Sequence, residues 1–330
     1  MSKLKIVVAI AVSIGLLLYL AASVDFHELG AQLGRTHWGW VAAAVAAGLG
    51  GLFCRAARWR YLFAPGARPP ALLPAMMIGY MANNVLPLRA GEFVRVYVVA
   101  RRWRHGFWTA LATLIVERVL DSLSLVLILG VLVLLIPVPA LFRNAALIVL
   151  AIDIAGVLVL AWLAAYPKAG RRVVRRLGQR WPVVERRLGR VYDTFVQGLD
   201  GIRSVSNLGP LIVWTVIVWI MPALAAWTTL RAVDLDLPFL AGWVVLAFVG
   251  LGISIPSAPG YIGIFHFAAA KAVEIFGLSA SAAVAFAIVL HATQFVPVTV
   301  IGWFFLVREG LSLGEATHAR PPATDALPPS

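Results

Sequence analysis

Glu117, Arg118 and Asp121 stand inside an otherwise apolar run, residues 108–136. Charge at membrane depth is expensive, so it is kept for pairing or for function. The three-residue spacing of Arg118 and Asp121 puts both on one helical face, where they can pair. Two uses stay open at this point. Either the group is a structural ion pair holding a helix bundle together, or Arg118 binds an anionic headgroup while Glu117 and Asp121 tune it. A second group follows an apolar run that breaks at Pro87: Asn84, Arg89, Gly91, Glu92 and Arg95. Arginine can fork onto a phosphate, glycine lets a ligand approach the backbone, and Glu92 in a first helical turn suits the helix dipole. A third group is Pro259, Gly260, Tyr261 and His266, with His291 and Gln294 downstream. Half-helices starting near Gly91 and Gly260 would aim backbone N–H groups into a cavity, and such N-termini favour anions. His291 is either a satisfied core histidine or a proton carrier. Glu117, Asp121, His266 and His291 could be assembled into an acid–base set, but no nucleophile elbow, metal-ligand cluster or phosphate loop accompanies them. The chemistry on offer is binding an anion at depth. No catalytic residue, metal or cofactor is expected, and the chain reads as not an enzyme.

The elements that would carry these residues follow from composition. Of 330 residues, 61% are hydrophobic and 13% charged, with a mean hydropathy of +0.89. This is the profile of an all-α polytopic membrane protein. The longest polar stretch, 167–207, is below the roughly 50 residues a soluble domain needs. The net charge of +13 invites a nucleic-acid reading. Lys and Arg fall between apolar spans, however, where the positive-inside rule accounts for them, and no nucleic-acid partner is expected. Cys54 is the only cysteine, which excludes an internal disulfide.

Full-length apolar candidates are 4–23, 38–54, 108–136, 144–166, 208–231 and 280–306, each near or above the roughly 17 residues a spanning helix needs. The first follows Lys3 and Lys5 and reads as an uncleaved helix. Two further regions, 71–103 and 238–278, are apolar but interrupted, as re-entrant hairpins lining a polar cavity would be. Of the 28 basic residues, 23 fall in 1–5, 55–70, 89–104, 167–207 and 307–330. That pattern puts both termini in the cytoplasm. Segment 168–204 is basic and amphipathic. Val184, Leu188, Val191, Phe195, Leu199 and Ile202 form one apolar face, as in a helix lying on the inner leaflet. Lys271 and Glu274, three apart, are expected to pair.

The two halves, 1–136 and 144–306, each read span, span, broken hairpin, span. Pro256 and Gly260 fall on Pro87 and Gly91, and His291 lies opposite Arg118. Three crossings per half is odd, so the halves have opposite orientation. The hairpins enter from opposite sides and their tips meet. This is an inverted repeat of about six full spans plus two re-entrant hairpins, the plan of many secondary transporters. Residues 1–310 form a single transmembrane domain, and the Pro-rich 311–330 reads as a disordered tail.

The run Gly79 to Glu92 with Arg95, then Glu117-Arg118 with Asp121, then Pro256 to Gly263 with His266, resembles three signatures of the lysylphosphatidylglycerol synthase transmembrane-region family, in order. The resemblance covers roughly residues 5 to 310. It implies a bacterial inner (cytoplasmic) membrane protein that moves or presents a lipid. The aminoacyl-transferase domain of the family's resistance factors is absent, so lipid aminoacylation is not implied. The leading expectation is a flippase-like lipid translocase handling an anionic, polyprenyl or hopanoid-type lipid. The alternatives are a non-transporting membrane subunit of a lipid-modifying or glycosyltransferase pathway, with such an enzyme as partner, and an integral-membrane transferase using the charged cavity.

Overall fold

A computed structural model describes residues 3–86, 89–103, 106–178, 182–254, 257–312 and 314. The breaks expected at Pro87 and Pro256 and the tail beyond 314 lie outside the described residues. In chain order the helices are α1 (Lys3–Ala22), α2 (Phe26–Gly34), α3 (Trp38–Arg60), α4 (Leu73–Val85), α5 (Gly91–Trp103), α6 (Phe107–Leu135) and α7 (Ala140–Ala165). They continue as α8 (Pro167–Gly178), α9 (Pro182–Gln197), α10 (Asp200–Arg203), α11 (Val205–Ala232), α12 (Phe239–Gly252), α13 (Ile264–Glu274) and α14 (Ala280–Arg308). The described residues hold no strand, because in hydrocarbon only a helix satisfies its own backbone within one segment.

Five helices, α3, α6, α7, α11 and α14, are long and apolar enough to cross a membrane. α1 and α2, bent by 92° at their junction, make a sixth candidate only when the pair is counted as one broken span. The side chain of Asp25 caps α2, and the Asp25 N–H donates to Ser281 Oγ at 3.0 Å, so the elbow is tied to the start of α14. The outer surface of α7 is largely apolar and uncovered: Leu141, Ile148 and Leu158 are each more than 60% exposed. A contiguous surface of that kind belongs against lipid. The chain is an all-α, multi-pass membrane protein.

The interrupted regions form paired short helices. α4 and α5 have 13 residues each, about 20 Å at ~1.5 Å per residue, short of the roughly 30 Å hydrocarbon core. α12 and α13 have 14 and 11. The arms of each hairpin pack on each other, α4 also packs on α14, and α12 on α6. The tips touch: Arg89 Nη2 donates to the Ile253 carbonyl at 2.6 Å. Between the hairpins, α3 lies along α11. Small buried residues of α3, among them Ala44, Ala47 and Gly51, let the two backbones approach.

Three expectations are corrected. The second span does not end at 54; α3 continues to Arg60, so Arg55 and Arg58 lie inside a helix and not in a loop. Segment 168–204 is not one helix but three, α8 to α10. Part of its apolar face is covered by protein and not by the leaflet: Leu199 is buried, Phe195 and Ile202 pack on the same core, and Thr109 Oγ1 at the start of α6 donates to the Thr194 carbonyl at 3.2 Å. The half-helix after the second break starts at Ile264, not near Gly260, because Gly260, Tyr261 and Gly263 all have positive φ (68°, 59° and 92°) and cannot continue a right-handed helix.

Candidate functional site

The charges lie at the meeting point of α3, α5 and α6. Asp121 receives Arg58 at 2.7 Å, Arg55 at 2.8 Å and Arg118 at 3.0 Å. Glu117 receives Arg118 at 2.6 Å, Arg95 at 3.2 Å and Arg58 at 3.6 Å. Glu92 receives Arg95 at 2.8 Å and Arg118 at 3.6 Å. Four guanidiniums therefore share three carboxylates, and the group keeps an excess positive charge. The helices explain why it forms. Glu117, Arg118 and Asp121 lie ten to fourteen residues into α6, about 15–20 Å along its axis at ~1.5 Å per residue. No water reaches the Arg58 and Glu117 side chains, so ionisation there requires partners. The Arg95 guanidinium is braced over the Trp59 ring at 4.7 Å, and the Trp59 indole N–H donates to Thr113 Oγ1 at 3.0 Å.

One side of this network opens onto a cavity of about 520 Å³. Its polar wall includes Arg55, Tyr80, Asn84, Arg89, Glu92, Arg118 and Asp121, and its apolar wall includes Leu52, Leu125, Ile152, Val249, Phe265 and Val298. Arg89 stands over the Tyr261 ring at 5.8 Å. Among the described residues it makes no ion pair, which adds to the positive excess. Three further wall side chains that make no ion pair among the described residues each have a buried atom without a hydrogen-bond partner there: Asn83 Oδ1, Asp153 Oδ2 and the Trp219 indole N–H. Such a cavity can hold an anion on its polar side and hydrocarbon on its apolar side.

The family model for the lysylphosphatidylglycerol synthase transmembrane region matches residues 6–302, nearly the whole chain. The chain belongs to that family. It is also 27% identical over 335 residues to a curated protein named "Glycosyltransferase AglD" of Haloferax volcanii, a match covering 91% of this chain and 53% of the relative. The chain thus spans about half the length of that relative. No solved structure matches it.

Of the residues singled out in this family member, Asn84, Arg89, Glu92, Arg118, Asp121, Gly260, Tyr261 and His291 all line the cavity, with Gln294. Asn84 Nδ2 donates to Thr299 Oγ1 at 2.8 Å, joining the first hairpin to α14. His291 Nε2 lies 2.9 Å from the Gly260 carbonyl. Arg95 and Glu117 are buried in the ion network behind the wall, and Gly91 is packed against Gly79 and Asn83. His266 meets His291 edge-on with ring centroids 4.7 Å apart, and neither it nor Pro259 is part of the lining. Lys271 and Glu274 pair at 2.6 Å as expected. Four residues escaped the sequence reading. Arg55 and Arg58 sit at a span end, where a basic residue reads as a topology signal. Trp219 is one apolar residue among many. Asp153, in the middle of α7, did carry a signal: a lone carboxyl inside an apolar span.

Proposed function

We propose that the protein is a lipid translocase in which Arg89 and Arg118 hold the anionic part of a headgroup while the acyl or prenyl chain lies against the apolar wall. One observation carries this reading: a single cavity inside the bundle joins guanidiniums in positive excess to hydrocarbon. Arg95 and Glu117 keep the cavity-facing arginines in place. The element order of the halves supports an inverted repeat, with α3 against α11, α4 against α14 and α12 against α6 as like contacts. The site lies where two hairpins would enter from opposite faces of a bacterial inner membrane.

The test uses proteoliposomes containing only this protein and a short-chain fluorescent phosphatidylglycerol, with leaflet accessibility as the readout. Arg89→Lys keeps the charge but loses the planar fork. It is expected to slow translocation about tenfold or more, the scale of one charge-assisted hydrogen bond, with thermal stability unchanged. Wild-type rates for both Arg89→Lys and Arg89→Ala would remove the hairpin tip from the site.

A second reading is favoured by the match to half of a protein named as a glycosyltransferase. In it the chain presents a lipid carrier to a glycosyl-transferring partner without moving it. Lipid binding with no leaflet exchange in the same vesicles would support that reading.

A further inference from the structure

α7 packs on α6, α12 and α8, and its remaining surface is apolar apart from Arg143 and Asn144 near its start. Its one carboxyl, Asp153, is 4% exposed and lines the same cavity as Arg118. It lies thirteen residues from the start of the helix, about 20 Å at ~1.5 Å per residue. Among the described residues it makes no ion pair, and its Oδ2 is buried without a partner. Its Oδ1 lies 2.6 Å from Ser122 Oγ. That hydroxyl also lies 2.8 Å from the Arg118 carbonyl of its own helix. A serine has one hydrogen to give. If Asp153 is ionised, Ser122 cannot serve both acceptors, and a carboxylate is left at depth with half a hydrogen bond. If Asp153 carries a proton, its O–H donates to Ser122, and Ser122 donates to the carbonyl. Both short contacts are then used, and no uncompensated charge is buried.

The charged groups facing Asp153 from the packed elements do not supply a counter-ion. On α6, Arg118 is committed to Glu92, Glu117 and Asp121. α12 has no titratable residue. Lys168 and Arg171 on α8 lie beyond the far end of α7. The three side-chain oxygens of Asp153 and Ser122 are too few for a hard metal cation, which takes about six.

We propose that Asp153 is a proton-binding site linked to occupancy of the cavity. This rests on the headgroup reading above and adds what that reading lacks, a group whose charge can change with the load. An anionic headgroup held by Arg89 and Arg118 disfavours a second negative charge in the same cavity, so binding takes up a proton from solvent onto the Asp153 carboxylate. Linkage is reciprocal: protonation of Asp153 strengthens headgroup binding by the same factor. A site of this kind would let a proton gradient bias the direction of lipid movement.

The experiment is calorimetric titration of the full chain in nanodiscs with dioctanoyl phosphatidylglycerol below its micelle concentration, across a pH series and in two buffers of different ionisation enthalpy. Wild type is expected to take up about one proton per lipid bound on the alkaline side of the Asp153 titration, and there to lose affinity by up to about tenfold per pH unit. Asp153→Asn, the shape of the protonated acid, is expected to bind with no uptake over that range and a flat pH profile. Binding by wild type without proton uptake overturns the proposal whether or not the variant folds. Equal uptake by Asp153→Asn overturns it too, by assigning the proton to another carboxyl. Absence of any binding by wild type sinks the headgroup reading itself, and the linkage with it.

Discussion

Glu117 shows how an ionised side chain survives in the interior of this bundle. Its carboxylate lies within 3.6 Å of Arg58, Arg95 and Arg118, and none of its side chain is exposed. Asp121 has a comparable set of partners, so Arg118 and Asp121 are not an isolated i,i+3 pair but two members of a seven-residue network. Removing one member of a buried set leaves charges unpaired, which typically costs about 3–5 kcal/mol. Glu117→Gln is therefore expected to lower the thermal midpoint in detergent by more than Glu92→Gln, whose side chain is 18% exposed and can be replaced in part by water. Equal midpoints for the two variants would mean that the network is not centred on Glu117.

Among the elements, the first hairpin shows why small residues surround the charges. A Cβ on Gly91 would meet the Gly79 carbonyl and Asn83, so the arms of the hairpin cross in backbone contact and Gly91 opens α5. Gly91→Ala is expected to push the arms apart, displace Arg89 and Glu92, and reduce both thermal stability and lipid movement. Gly30→Ala in α2 is the matched control. A Cβ there meets nothing within 4 Å, and alanine is favoured over glycine in a helix by about 1 kcal/mol. Stability that falls in both variants to the same degree would count against the crossing as the cause. At the other tip, Gly260 has φ +68°, a conformation glycine adopts without penalty. There the turn brings the Gly260 carbonyl to His291.

For the molecule as a whole, the proposed six crossings, five long apolar helices and the bent α1–α2 pair, would put both chain ends on one side of the membrane. The same plan puts residues 167–207, where Lys and Arg crowd, on that side, and the positive-inside rule predicts that it is the cytoplasmic one. Reporter fusions at Ser2, within the α9–α10 connection and after Ser330 are all expected to give the cytoplasmic signal, and fusions between α6 and α7 the opposite one. A periplasmic signal at one terminus alone would leave an odd number of crossings and break the inverted-repeat plan.

The apolar spans, the two interrupted regions and nine of the residues that line the cavity were readable from the chain, because each rests on a local property. Twenty apolar residues in hydrocarbon have no alternative to a helix, and a charge or a proline-glycine break inside such a run stands out wherever it is. The partners of those charges were not readable. Nothing local to Arg55 or Arg58 separates a membrane-edge arginine from one that closes an ion network with α6, since the difference lies in which helix packs alongside. The same holds for the face of α9, apolar in either setting but covered partly by α6, and for Asp153, visible as an oddity yet given its meaning only by Ser122 across the α6–α7 contact. Hydropathy and backbone chemistry act along the chain and appear in it. Ion pairing, cavity shape and the supply of hydrogen-bond donors depend on distances between segments up to a hundred or more residues apart, and these exist only once the helices have packed.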